Sequence, residues 1–190
     1  MITATDIVEY FNKPIIEIEE GIIPPKKGWR CIDYDSCEVE CGDFLWGLVR
    51  YLKPDIIVET GTSRGFASAC MASALHANGR GHLWTVEIDE EKVKNSRKVF
   101  EDIGVSKHIT VVHADSLYDE VLKLLPGKID LLLIDGGNRI SEYEKYSKFL
   151  DPNTGLVLWH DALKFEEIHC TVKNLGGNFI WAGRGLGITK

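Results

Sequence analysis

The chain has little of what marks a metal ribbon, a disulfide scaffold or a membrane span. Its five cysteines, Cys31, Cys37, Cys41, Cys70 and Cys170, are odd in number and contain no C-x-x-C pair, which argues against a zinc ribbon and a disulfide framework. Cys37 and Cys41 face the same way if a helix begins there, but two thiols do not complete a tetrahedral site. No apolar run approaches the roughly 20 residues of a membrane helix. The N-terminus, with Asp6 and Glu9, lacks the apolar core of a signal peptide. Basic residues are outnumbered, 22 against 29, for a net charge of -7, which disfavours a nucleic-acid partner. Lys26-Lys27 with Arg30, and Lys92, Lys94, Arg97 and Lys98, read as solvated faces. The expectation is a cytoplasmic protein that engages neither membrane nor nucleic acid.

What is present is an alternation of strand-length apolar runs with helical patterns, in 190 residues of which 44% are hydrophobic, enough for one substantial core. Ile56-Ile57-Val58 leads through Glu59-Thr60-Gly61-Thr62-Ser63-Arg64-Gly65 into a helix over about 64–77, with Phe66, Cys70, Ala74 and Leu75 as its apolar stripe and Asn78-Gly79 as its stop. Further strands are expected at 82–89, 109–114, 129–134 and 155–159. A helix from Glu90 turns Val93, Phe100 and Ile103 inward, and Asp89 is placed to cap it. Upstream, Thr5 or Asp6 can cap a first helix carrying Ile7, Tyr10 and Phe11. Pro24-Pro25 marks an extended link, and residues 42–52 form a helix that leads past Pro54. Residues 178–182 and 186–189, joined by Gly183-Arg184-Gly185, read as an antiparallel hairpin. The organisation is one domain overall, an N-terminal appendage over 1–42 followed by a βα core over 43–190.

The chemistry gathers at the strand ends, which in a parallel sheet share the ligand-binding edge. Glu59 closes the first strand. Glu87, 22 residues beyond Gly65, closes the second, where nucleoside-binding α/β folds place a carboxylate for ribose. Asp115-Ser116 follow the third strand as either ligand contacts or helix caps. Asp135-Gly136-Gly137 follow the fourth, and His160-Asp161 the fifth. Ser63 and Phe66 stand where a dinucleotide fingerprint needs its second and third glycines, and Phe66 also breaks the phosphate-loop pattern. A nucleoside-containing guest without a pyrophosphate fits better than a dinucleotide.

The arrangement E-x-G-x-x-x-G from Glu59 to Gly65, with the terminal antiparallel hairpin, resembles the class I S-adenosylmethionine-dependent methyltransferases over residues 43–190. V-E-T-G-T-S-R-G, L-L-I-D-G-G and V-L-W-H-D look most like the branch of catechol O-methyltransferase and small bacterial O-methyltransferases, with cephalosporin hydroxylase-like relatives. The resemblance implies an α/β fold with a doubly wound, mostly parallel seven-stranded sheet and a C-terminal antiparallel strand. It also implies methyl transfer from S-adenosylmethionine to a small hydroxylated acceptor.

In that family Glu59, Gly61, Thr62, Ser63 and Gly65 match the loop against the methionine part. Glu87 and Ile88 match the ribose contacts, and Ala114, Asp115 and Ser116 the adenine contacts, with Asp135 alongside. The branch holds a divalent cation such as magnesium through residues matching Asp135 and Asp161. Its third ligand position is Ala162 here, and its lysine position is Asn138, followed by Arg139. Three routes stay open: a cation on Asp135, Asp161 and waters; His160 or His113 as a metal-free base; or positioning alone. Relatives also close the segment before the core helix over the cofactor, which brings in Ser36, Glu38 and Glu40, otherwise read as exposed polar residues. Tyr10, Phe11, Trp29 and Tyr34 are candidates to roof an acceptor or to pack on the core or on the second subunit of a homodimer. The alternative reading is a non-catalytic cofactor-binding module that has lost its metal site.

Overall fold

The structure, a computed structural model, describes residues 4–11, 16–18, 29–180 and 183–190. The expected Pro24-Pro25 link, Lys26-Lys27 and the Trp181-Ala182 end of the hairpin lie outside those residues. Helix α1 (Ala4–Phe11) precedes a two-stranded ribbon of β1 (Ile16–Ile18) and β2 (Trp29–Cys31). Because α1 starts at Ala4, Asp6 lies in its first turn instead of capping it. Ile7 is fully buried in the same apolar cluster as the central helices, so the appendage packs onto the core.

The core runs α2 (Val39–Leu52), β3 (Ile56–Thr60), α3 (Phe66–Asn78), β4 (His82–Glu87), α4 (Glu90–Asp102) and β5 (Ile109–His113). It continues through α5 (Glu120–Leu124), β6 (Leu131–Ile134), α6 (Arg139–Tyr146), β7 (Leu156–His160), α7 (Glu166–Asn174), β8 (Asn178–Ile180) and β9 (Leu186–Thr189). The seven-stranded sheet has the order β5-β4-β3-β6-β7-β9-β8. Strands β3 to β7 are mutually parallel, and β9 runs antiparallel to both of its neighbours. This is the expected doubly wound sheet with its C-terminal antiparallel strand. The chain builds outward from β3 to β5, then returns to place β6 on the other side of β3, leaving a switch point between β3 and β6.

Side-chain alternation sends the strands' apolar residues to both faces. Ile57, Leu131 and Leu133 join the cluster under α1 to α4. Val58, Leu132, Ile134 and Trp159 join the cluster under α5 to α7. Helix α3 departs from the expected single stripe: every residue from Phe66 to Leu75 is buried. It lies between the sheet and α2, with Phe11 of α1 against Phe66 at a ring separation of 6.0 Å, so both of its sides need small or apolar residues. Its two buried serines are satisfied, Ser68 by Glu59 and Ser73 by the Cys70 carbonyl. Among the described residues no helix is long and apolar enough to cross a membrane.

Candidate active site

The loops after β3 and β6 meet at the switch point. Gly61 has φ 84°, and a Cβ there would lie 2.5 Å from the Asp135 carbonyl oxygen, so only glycine lets the two loops approach. Ser63 takes φ 48°, unusual for a residue with a side chain. It is held by two bonds: its amide donates to Glu87 Oε2 at 2.7 Å, and its hydroxyl donates to the Asp35 carbonyl at 3.0 Å. Glu87 Oε1 also accepts the Asp89 amide at 3.0 Å, while Asp89 caps α4 as expected.

Around this frame lies a cavity of about 290 Å³ whose wall includes Gly61, Glu87, Ile88, Ala114, Asp115 and Ser116. The expected ribose and adenine residues therefore converge. Ile88 is 66% exposed, an apolar side chain left open beside the crevice. Asp115 accepts the Leu117 amide at 2.8 Å in a turn, not at a helix start. The Ser116 hydroxyl donates to Glu142 at 2.6 Å.

Three expected cofactor residues stand behind this wall, not in it. Glu59 is 1% exposed and receives the Ser68 hydroxyl; burial raises its carboxyl to about 8, against the pull of Ser68 and Thr85. It neither reaches the crevice nor clamps the glycine loop, a task that falls to Glu87. Thr62 is buried, its hydroxyl 2.6 Å from that of Thr85. Gly65 has φ 87°, and a Cβ there would lie 2.8 Å from the Phe100 ring, so its requirement comes from α4 packing against the turn. These positions shape the loop from behind.

A second cavity, of about 330 Å³, shares Gly61, Glu87, Gly136 and Gly137 with the first. Tyr34 and Ser36 line it on one side, and Asp135, Arg139, His160, Asp161 and Arg184 on the other. The segment before α2 thus closes over the glycine loop, tied by the Ser63–Asp35 bond and by Arg64 against Asp33 at 2.9 Å. Tyr34 alone among the four aromatic roof candidates lines this cavity. Tyr10 bonds Asp102 and Phe11 packs on Phe66. Glu40 pairs with Arg30 at 2.7 Å, away from the site. His113 bonds the Ile88 carbonyl at 3.1 Å on the outer strand, remote from Asp135 in the sheet.

The ionic groups form one connected cluster. Asp135 Oδ1 lies 2.9 Å from His160 Nδ1 and 2.8 Å from an Arg139 terminal nitrogen. That same Arg139 nitrogen donates to Asp161 Oδ2 at 2.7 Å. His160 Nε2 lies 3.1 Å from Glu38 Oε2. Arg184 bonds Glu38 and the Ser36 carbonyl, with its Nε 3.2 Å from Asp161 Oδ1. Consecutive strand residues should face opposite ways, yet His160 and Asp161 both meet Asp135. The chain leaves β7 at Asp161 in a left-handed conformation, φ 60°, which turns that carboxylate back.

Electrostatics fix the protonation of this cluster. Burial alone would lower the His160 pKa, but Asp135, Asp161 and Glu38 outweigh it and hold the imidazole charged, well above its ordinary value. Burial would likewise raise Glu38, but His160 and Arg184 hold it down at about 2. Each ring nitrogen of His160 faces a carboxylate, Nδ1 toward Asp135 and Nε2 toward Glu38. Glu38, expected to be solvent-facing, is 0% exposed. It occupies the N-cap of α2 but makes no cap bond there, directing its carboxylate to His160 and Arg184 instead. Arg184 and the role of Arg139 were not apparent from sequence; an arginine between two glycines at the hairpin turn was the one signal.

A protein-family profile described as "Methyltransferase domain" matches residues 58–162. Among curated proteins, the tRNA (adenine(58)-N(1))-methyltransferase catalytic subunit trmt61a of Dictyostelium discoideum is 44% identical over 59 residues, 31% of this chain and 18% of that protein's length. Among solved structures, the SAH-bound methyltransferase PaMTH1 of Podospora anserina superposes with a TM-score of 0.70 at 15% identity, covering 98% of this chain and 86% of its own. The O-methyltransferase TomG of Streptomyces achromogenes, solved with SAM, gives 0.67 at 18% identity over 80% of each chain. The O-methyltransferase of Bacillus cereus, solved with SAH, gives 0.65 at 16% identity over 98% of this chain and 89% of its own.

Proposed function

The chain belongs to the methyltransferase domain family whose profile spans residues 58–162, and from that premise we propose that it transfers a methyl group from S-adenosylmethionine to an oxygen of a small hydroxylated acceptor. One observation carries this reading: the glycine loop, Glu87, the Ala114–Ser116 edge and the Gly136-Gly137 turn surround a single crevice at the switch point of the sheet. The open face of Ile88 beside Ala114 suits a flat base, and Glu87 suits ribose hydroxyls. Arg64 at the glycine loop is paired with Asp33, which leaves that loop poorly equipped for a pyrophosphate and better suited to the amino-acid end of S-adenosylmethionine.

S-adenosylmethionine supplies an electrophilic methyl on a sulfonium, and the chain's share is to hold it, orient the acceptor and exclude water. Tyr34, Asp135 and Arg139 wall the adjoining cavity where an acceptor would sit. Asp135 meets His160 and Arg139 through Oδ1, which supports Oδ2 as the oxygen that receives the hydrogen bond of the acceptor hydroxyl and orients it. A divalent ion on Asp135 and Asp161 does not fit the donor set, because Arg139 already bridges those carboxylates.

The test is calorimetry with S-adenosylhomocysteine. Binding of micromolar order is expected, weakened at least about tenfold in Glu87→Ala, a loss of about 1.4 kcal/mol; absence of binding to the wild type would overturn the proposal. The substitution of Ala162 for a family ligand favours a second reading, a cofactor-binding module without catalysis. Radiolabelled methyl transfer to a panel of phenols and alcohols separates the two.

A further inference from the structure

The two carboxylates that would invite a divalent ion already have a cation between them. A single terminal nitrogen of Arg139 donates to Asp135 at 2.8 Å and to Asp161 at 2.7 Å, as a bound ion would contact one oxygen from each. The guanidinium is braced from another side by the Phe165 ring, 5.7 Å from its centre. Its backbone is fixed by Asn138, which caps α6 by accepting the Ser141 amide and so makes Arg139 the first helical residue at the rim of β6.

The other candidate ligand sets converge on His160. Asp135, His160 and Asp161 offer atoms within 4.8 Å of one another, as do Glu38, Cys41 and His160. Both sets depend on His160, and a histidine binds metal only through a nitrogen lone pair. Here one ring nitrogen faces Asp135 and the other faces Glu38. The position that the resemblance assigns to a third ligand is Ala162, fully buried and without a donor atom in its side chain. Two guanidinium groups, Arg139 and Arg184, already lie against Asp161, so a dication placed there would add buried positive charge beside them.

We propose that Arg139 stands in place of the divalent cation, that this protein binds no metal between Asp135 and Asp161, and that removing the guanidinium opens such a site. The consequence for catalysis, metal-independent methyl transfer, rests on the methyltransferase reading; the binding claim does not.

Manganese titration of the purified full chain near neutral pH, followed by electron paramagnetic resonance of the free ion, tests the binding claim. The wild type should bind no Mn²⁺ into the millimolar range. Arg139→Gln should gain a site with a dissociation constant of roughly 10⁻⁴ to 10⁻³ M, as for weak carboxylate sites. Arg139→Lys should stay silent, and Asp161→Asn added to Arg139→Gln should abolish the gain. Wild-type Mn²⁺ binding as tight as that of Arg139→Gln would overturn the proposal. So would a folded Arg139→Gln that gains nothing.

Should Arg139→Gln not fold, the wild type decides. Silence toward Mn²⁺ with turnover unchanged by EDTA supports the proposal, and turnover lost to EDTA and restored by Mg²⁺ overturns it. S-adenosylhomocysteine calorimetry on the same samples keeps the readings apart, since its failure would strike the methyltransferase reading and leave the manganese result standing.

Discussion

Replacing Glu59 by Gln should stabilise the protein at neutral pH and have little effect near pH 4. Glu59 ends β3 at 1% exposure. Burial raises its carboxyl from 4.5 to about 8, reinforced by Asp135 and Glu87 and opposed by the Ser68 and Thr85 hydroxyls. The folded protein therefore keeps a proton that the unfolded chain releases above about 4.5. Stability is complete below that value and declines as pH rises toward the folded pKa, since the unfolded state then binds fewer protons. At about 1.4 kcal/mol per unit, the interval from 4.5 to neutrality corresponds to about 3 kcal/mol.

Gln keeps the shape and a neutral amide, so Glu59→Gln should recover roughly 2 to 3 kcal/mol at pH 7, with the wild-type and variant curves converging at low pH. Urea denaturation followed by circular dichroism at several pH values measures the difference. Parallel curves, with the same difference at every pH, would refute the buried neutral carboxyl. S-adenosylhomocysteine affinity should be unchanged in the variant, because Glu59 lies behind the crevice; a large loss would return Glu59 to the ligand contacts that the family resemblance implies.

Two further perturbations probe the frame. Glu38→Gln removes a fully buried carboxylate from between His160 and Arg184 and should cost about 3 to 5 kcal/mol in urea denaturation at neutral pH. Since the Glu38 pKa falls from 4.5 to about 2 on folding, its contribution is present above 4.5 and disappears as pH falls toward 2, so the variant should also show a flatter acid limb. Gly61→Ala places a methyl against the Asp135 carbonyl at positive φ and should lose roughly 2 kcal/mol or more by thermal melting, together with S-adenosylhomocysteine binding.

The strands and their acidic ends were legible because each rests on a short local pattern, an apolar run stopped by an acid or a glycine turn. Glu87, Ala114, Asp115 and Ser116 accordingly fall where their strand ends put them. Local pattern failed where a second neighbour mattered. Helix α3 reads as a single stripe, but α2 covers its far side, and a run of mostly small residues from Ala67 to Ala74 serves both contacts. Glu59 and Glu87 both look like crevice acids, yet in the fold Glu87 clamps the loop while Glu59 is buried against Ser68 of α3.

From sequence alone came the sheet and the strand-end edge on which the crevice lies, since period-two burial and glycine placement act over a few residues. The ionic cluster required the tertiary structure. His160 and Glu38 are 122 positions apart, and Arg184 and Glu38 are 146 apart. A charge's partners depend on distance in space and on the loss of water around it, and a left-handed turn at Asp161 determines which carboxylate faces which cation. The pair Asp135 and Asp161 reads as a metal site in one dimension; in three, Arg139 lies between the two carboxylates.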